Sequence, residues 1–213
     1  MPVKRLDAAK SRLRGALEDV PHPKLALALA RDTVTAVLAS APVRQVLVVT
    51  DDPVAGEELR RLGARTVAEP TSPGLNAAFA HGASFAPPGG WVAALAADLP
   101  ALRPADLTAA LRAAGANPSG VRRFVADAPG TGTVLLTAPP GVPLDPRFGT
   151  DSAAAHAASA ALPLVGAWPS LRRDVDTPAD LWAAAALGLG RHTAPLLDRI
   201  SPPATEPQAV PTV

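Results

Sequence analysis

Three aspartates and a run of cations hold the charge on which chemistry in this chain would turn. Asp98 closes the apolar run Trp91-Val-Ala-Ala-Leu-Ala-Ala-Asp98-Leu-Pro100, and the proline forbids continuation of a strand. Asp174 and Asp176 flank Val175, and in an extended segment residues two apart share a face. Both can then meet Asp98 across a divalent cation, and an aspartate at a strand end is well placed to hold such a cation against a nucleotide phosphate. Near the N-terminus Lys4, Arg5, Lys10, Arg12 and Arg14 place five cations in eleven positions, with Asp7 the one acid among them. That density can neutralise a polyphosphate. Each feature also has a plain structural role. Asp98 can cap the helix after Pro104, Asp176 can cap the one after Thr177, and the cations can form a solvated basic helix.

Two glycine-containing segments add neutral donors. In Asp127-Ala-Pro-Gly130-Thr-Gly-Thr133, glycines alternating with threonines let backbone N–H groups and hydroxyls approach an anion. A tight turn between two strands accounts for the same residues. In Arg147-Phe-Gly149-Thr-Asp-Ser152, the serine opens an alanine-rich helix whose N–H groups suit phosphate, or it is an ordinary N-cap. His22, His81, His156 and His192 are scattered, no pair has metal-ligand spacing, and they form no site. No Ser-His-Asp or Gly-x-Ser-x-Gly pattern occurs, which argues against nucleophilic hydrolase chemistry.

The elements that must position these residues alternate in type. Helices are expected from His22-Pro23 to Ser40, from Pro53 through Leu62, over Leu75–Ser84 and from Pro104 to Ala114. Two more are expected, one from Ser152 and one from Pro178 to about Leu187. Strands are expected at Val43–Thr50, Thr66–Ala68, Trp91–Ala97, Arg122–Ala126, Val134–Leu136 and Leu162–Val165. The Trp91 run reads as a strand buried on both faces, as in a parallel sheet covered by helices. Ligands of such sheets bind beyond the carboxyl ends of the strands, where Asp98 falls. The pattern predicts one three-layer α/β domain over residues 1–200. The proline-rich stretch 201–213 is expected to be a disordered tail.

A chain of 213 residues can bury a substantial core without disulfides or structural zinc. It has no cysteine, which fits a cytoplasmic enzyme. A net charge of +1 argues against a general nucleic-acid binder. No apolar run reaches membrane-spanning length, so no membrane association is expected.

Six segments occur in a telling order: Pro2-Val-Lys-Arg-Leu-Asp-Ala-Ala-Lys-Ser-Arg-Leu13, Gly74-Leu-Asn76, Asp98-Leu-Pro100, Gly130-Thr-Gly-Thr133, Phe148-Gly149-Thr-Asp-Ser152 and Asp174-Val-Asp-Thr-Pro178. Together they resemble the phosphoenolpyruvate / 2-phospho-L-lactate guanylyltransferase family of coenzyme F(420) biosynthesis. The resemblance implies a Rossmann-like GT-A nucleotidyltransferase fold with a mixed, mostly parallel sheet. It implies transfer of GMP from GTP to a phosphorylated three-carbon acid, with magnesium held by Asp98, Asp174 and Asp176. It places Thr133, Gly149 and Ser152 at phosphoenolpyruvate, and Lys4, Arg5, Lys10 and Arg12 at the GTP phosphates, Lys10 with a catalytic part. Gly74 and Asn76 fall at the nucleobase.

The enolpyruvyl-2-diphospho-5'-guanosine product is expected to be unstable, so the next enzyme of the pathway is an expected partner. Alternatives are the same reaction on 2-phospho-L-lactate or 3-phosphoglycerate, a molybdopterin-type nucleotidyltransferase, and a truncated inactive paralogue that binds nucleotide or a partner. The last arises because the family carries a full strand before the Pro-Val-Lys-Arg segment, and here almost none precedes it. Its neighbours in the sheet are then expected to leave backbone groups unpaired.

Overall fold

A computed structural model describes residues 1–17, 19–116 and 120–197. The tail at 201–213 lies outside the described residues. Six strands are present among the described residues: β1 (Leu47–Val49), β2 (Arg65–Val67), β3 (Val92–Leu95), β4 (Arg123–Ala126), β5 (Thr133–Ala138) and β6 (Leu162–Pro163). They form a two-stranded sheet β1-β2 and a four-stranded sheet in the order β3-β5-β4-β6. β1 and β2 pair parallel, as do β4 and β6, whereas β5 lies antiparallel between β3 and β4. Within the larger sheet β5 alone opposes its neighbours. The Trp91 run is therefore not a strand in a purely parallel setting. Ala93 is exposed, and β3 bonds along one edge to an antiparallel partner.

Helices cover both faces because successive strand residues point to opposite sides. Leu95, Val125 and Leu135 join a core with Val34 and Val37 of α1 (His22–Leu38), Leu59 of α2 (Pro53–Arg61) and Leu107 of α4 (Pro104–Gly115). Ala94, Phe124 and Leu136 face the other way, toward Phe79 of α3 (Leu75–Ala83) and Ala153 of α5 (Ser152–Ala158). A third cluster joins Leu13 and Leu17 to Leu25 and Leu29 of α1, Val175, and Leu181 of α6 (Pro178–Leu187). That cluster fastens the basic N-terminal segment against the segment bearing Asp174 and Asp176.

Between β1 and β3 the sheet is open. Val3 N donates to Val49 O at 2.9 Å and Val49 N to Met1 O at 3.0 Å, a single parallel bridge along β1. Among the described residues nothing pairs with the facing edge of β3. A cavity of about 540 Å³ fills the gap, lined by Met1, Val46, Leu47, Phe79, Val92 and Ala93 among others. The Met1 ammonium donates to Leu47 O at 3.0 Å, and burial pushes its pKa from 8.0 down to about 5. A depressed pKa on a basic group means the folded state prefers it deprotonated, so stability rises with pH between about 5 and 8.

Placing about five apolar residues before Met1 should replace the buried ammonium with an amide and fill the slot with a strand of ordinary length. Such a chain is expected to melt several degrees higher than the 213-residue chain at pH 5.5, with a smaller gain at pH 8. Equal melting temperatures at pH 5.5 would show that the slot accepts no strand.

Candidate active site

Asp98 is placed by three backbone anchors around the end of β3. Ala96 N continues the pairing to Val134 O at 2.9 Å, and Leu99 N bonds to the buried Thr33 Oγ1 at 2.9 Å. The Asp98 carbonyl accepts from Val175 N at 3.1 Å. Val175 is fully buried, which turns the side chains on either side of it back toward Asp98. Opposite, Lys10 has a left-handed backbone (φ 51°, ψ 45°), uncommon for a residue with a Cβ. His22 Nε2 donates to its carbonyl at 2.8 Å, and Leu6 N is held by Asp52 Oδ2 at 2.9 Å. The chain is thereby bent so that the Lys10 ammonium reaches Asp98 Oδ2 and Asp176 Oδ1, the latter at 2.5 Å.

The plain structural roles open to the acids belong to other residues. The helix after Pro104 has Arg103 at its N-cap and no side-chain cap bond. At α6 the capping box is made by Thr177 and Asp180, leaving Asp176 half exposed and turned to Lys10. Asp151, not Ser152, occupies the N-cap of α5, and Ser152 is buried inside the first turn.

Charge at this site is unbalanced. Asp98 Oδ1 is buried without a hydrogen-bond partner. Burial first, then Asp98 and Asp176, push the Asp174 carboxyl up to about 7, with Lys10 acting in the opposite direction. For Lys10 burial works to lower the ammonium pKa, but Asp98 and Asp176 outweigh it and the net shift is upward. An orphaned carboxylate oxygen beside a crowded set of acids fits a divalent cation. In this arrangement the acids spread around the ammonium, and among the described residues no three His, Cys, Asp or Glu groups converge in metal-holding geometry. Lys4, Arg5 and Arg12 stand exposed on the same basic segment, Arg5 weakly paired with Asp7 at 3.8 Å.

The second group of expected residues is drawn together at one end of β5. Ala153 N bonds to Thr131 O at 3.0 Å, and Ser152 N to Gly149 O at 3.2 Å, tying the two glycine segments to the start of α5. These bonds correct two readings of the backbone donors. At the start of α5 the N–H groups of Ser152 and Ala153 are already taken, so those two do not point at a ligand. The N–H groups of Gly130, Thr131 and Gly132 all donate to the Asp127 carboxylate, at 2.7, 3.0 and 2.9 Å. The anion in that glycine loop is internal, and the tight-turn role holds there. What remains free is the opening at Gly149, which has φ 134° and open space, with nothing within 4 Å of where a Cβ would stand.

Gly74 likewise has positive φ (123°) and open space, at the N-cap of α3. Asn76 is committed: its Nδ2 donates to Phe148 O at 3.0 Å and its Oδ1 accepts from Phe148 N at 2.7 Å. It clamps the loop that leads into Gly149, and Phe79 stacks on Phe148 with centroids 4.1 Å apart. Sequence reading missed two further anchors. Arg172 donates to the carbonyls of Ala126 and Asp127, at 3.1 and 2.9 Å, and His156 joins Thr133 to Arg147. The signal for His156 was its spacing, four residues after Ser152 and so on the same helix face.

Comparison with known proteins agrees with this fold. Residues 23–174 match the MobA-like NTP transferase domain. A nucleotidyl transferase from Methanothermobacter thermautotroptrophicus superposes with TM-score 0.56 at 23% identity, covering 75% of this chain and 80% of that one. A CMP:2-keto-3-deoxy-manno-octonic acid synthetase complexed with CTP superposes with TM-score 0.53 at 17% identity, covering 87% and 95%. Fold and family match thus define a nucleotidyltransferase of the GT-A-like class. The phosphoenolpyruvate guanylyltransferase of Salinispora arenicola is 64% identical over 96% of this chain and 94% of its own length. That of Geodermatophilus obscurus is 59% identical over 92% of each. The chain belongs to the phosphoenolpyruvate guanylyltransferase family. No helix among the described residues is long and apolar enough to cross a membrane.

The raised Asp174 pKa makes stability depend on pH. Its folded value lies above 3.8, so ionising it costs folded-state stability, and the cost grows as pH rises from 3.8 to about 7 and then levels off. In metal-free buffer Asp174→Asn should melt higher than the parent at pH 8, with the difference shrinking toward pH 4. A difference that is constant with pH would remove the crowded-carboxylate account.

Proposed function

We propose that the chain transfers GMP from GTP to phosphoenolpyruvate, releasing pyrophosphate, in coenzyme F(420) biosynthesis. The observation that carries the reading is the Lys10–Asp98–Asp176 cluster with the partnerless Asp98 Oδ1, set beside high-identity relatives named for this activity. A phosphate oxygen of the acceptor attacks the α-phosphorus of GTP. One P–O bond forms there, the bond to the bridging oxygen breaks, and pyrophosphate departs with the electron pair. Both reactants are anions, so the chain's task is to neutralise charge and hold the two in line, with no covalent enzyme intermediate.

Asp98, Asp174 and Asp176 are the residues to hold magnesium, which when bound polarises phosphoryl oxygens and offsets developing charge. Lys10 is poised to turn from the carboxylates to the GTP phosphates, with Lys4, Arg5 and Arg12 around it. Gly74 leaves backbone room for the nucleobase, and Asn76 acts there through the loop it clamps. Thr133 and Ser152 offer hydroxyls to the acceptor, and Gly149 provides the space for its phosphate. A small phosphorylated acid suits this confined group better than a pterin does. The same site chemistry also accommodates 2-phospho-L-lactate and 3-phosphoglycerate, so the assay compares the three acceptors.

The test is pyrophosphate release with GTP, magnesium and each acceptor, coupled to the next enzyme if the product decays. Phosphoenolpyruvate is expected to give the highest kcat/KM, and no release with any acceptor would overturn the reading. Asp98→Asn should lower turnover by a factor of at least ~100, comparable to losing a major electrostatic contribution. Near-normal turnover in that variant would remove Asp98 from the chemistry. Ser152→Ala should raise the acceptor KM about tenfold or more while leaving the KM for GTP unchanged. A loss of melting temperature with intact acceptor kinetics would assign Ser152 to folding alone.

A further inference from the structure

The proposed reaction gives no role to His156, a fully buried side chain to which both acceptor segments attach. We infer that His156 is a positioning residue of the acceptor site: it fixes the direction in which Thr133 donates its hydroxyl proton and pins the loop that opens at Gly149. This inference rests on the proposal that Thr133 and Gly149 meet the acceptor.

The tautomer follows from the partners. Arg147 N donates to His156 Nε2 at 2.9 Å, so that nitrogen carries no proton. The neutral ring then has its proton on Nδ1, which lies 2.9 Å from Thr133 Oγ1. Burial is the first cause that keeps the ring neutral. The Ser152 carbonyl and Asp145 favour the charged form, Arg122 and Arg147 oppose it, and the net pKa shift is downward. A hydroxyl that accepts from Nδ1–H has its own proton left to give, and it must give it away from the ring. Phe148 meets the imidazole edge-on at 5.1 Å and Phe124 lies tilted at 5.9 Å, which restricts ring rotation.

Five backbone donors near Thr133 already have internal partners, which raises the weight on that one proton. Asp127 takes the N–H groups of residues 130–132, and internal carbonyls take those of Ser152 and Ala153. An anionic acceptor group arriving at Thr133 meets a hydroxyl already turned to donate. The Arg147 N–H, bound to the other edge of the same ring, sets where the chain runs into Phe148 and Gly149. One imidazole thus aligns the donor with the opening.

Three substitutions divide the two edges. His156→Phe keeps a ring and removes both bonds, His156→Asn keeps an N–H near the Nδ1 position, and His156→Gln keeps an oxygen near the Nε2 position. Phosphoenolpyruvate is titrated at saturating GTP, beside a thermal melt of each variant. His156→Phe is expected to raise the acceptor KM about 10- to 100-fold with the KM for GTP unchanged. His156→Asn should recover most of that loss and His156→Gln much less. Thr133→Val should give a similar rise, and combining it with His156→Phe should add little to the larger single effect. An acceptor KM within twofold of the parent in His156→Phe, beside a raised one in Thr133→Val, overturns the role of His156 alone. An unchanged acceptor KM in Thr133→Val takes down the acceptor-site reading and this inference together. If His156→Phe does not fold, equal kinetics in the Asn and Gln variants overturn the inference. Imidazole 15N shifts of the parent protein give an acceptor-free test: a proton on Nδ1 supports it, and a proton on Nε2 overturns it.

Discussion

One ammonium facing several carboxylates is the constraint around which this molecule is arranged. Lys10 answers Asp98 and Asp176, Asp174 is pushed toward neutrality by burial and then by its acidic neighbours, and one Asp98 oxygen is buried with no partner at all. Like charges held this close in a partly dry place strain the folded state unless a cation compensates. The fold supplies the force elsewhere. Val175 is drawn into the core, its N–H is bonded to the Asp98 carbonyl, and Leu13 and Leu17 fasten the Lys10 segment to the same apolar cluster. Apolar burial thus holds mutually repelling charges together, and the left-handed backbone at Lys10 is part of that arrangement.

Capping is done by residues other than the site acids. Thr177 with Asp180 caps α6, and Asp52 caps α2 while also holding Leu6 N. Because Thr177 and Asp180 satisfy the start of α6, Asp176 is left for solvent, ligand or Lys10. The same division appears in the glycine loop, where Asp127 saturates three N–H groups and makes the turn rigid. Rigidity there sets the start of β5, and with it Thr133.

Much of this was legible in the chain, for local reasons. The apolar run ending at Asp98 marked a strand end, and Pro23, Pro53, Pro104 and Pro178 marked helix starts that the structure confirms within a residue or two. Where reading failed, the cause was non-local. The insertion of β5 antiparallel between β3 and β4 depends on which edges meet, and side-chain alternation does not encode that. The expected strand Val43–Thr50 shortens to Leu47–Val49, because its preceding residues border the open slot and lack a ladder partner. The glycine loop looked available to a ligand because nothing in Gly-Thr-Gly-Thr shows that Asp127 folds back into it. His156 looked idle beside three scattered histidines, since its partners lie 23 and 9 residues away.

The cavity and the site lie in different parts of the fold, and the difference is physical. The slot between β1 and β3 is lined mainly by apolar side chains and unpaired strand edges, surroundings that recognise backbone and hydrocarbon. None of the carboxylates or hydroxyls proposed for the chemistry lines it. The site instead gathers at the chain segments that leave the strands, where Asp98 follows β3, Asp127 follows β4 and Thr133 begins the reversed β5. Because β5 runs opposite to β3 and β4, its first residue falls beside their last ones. The one antiparallel strand is therefore what brings a hydroxyl donor to the same end of the sheet as the carboxylates. In a wholly parallel sheet Thr133, as the first residue of its strand, would lie at the far end, and the two halves of the site could not meet.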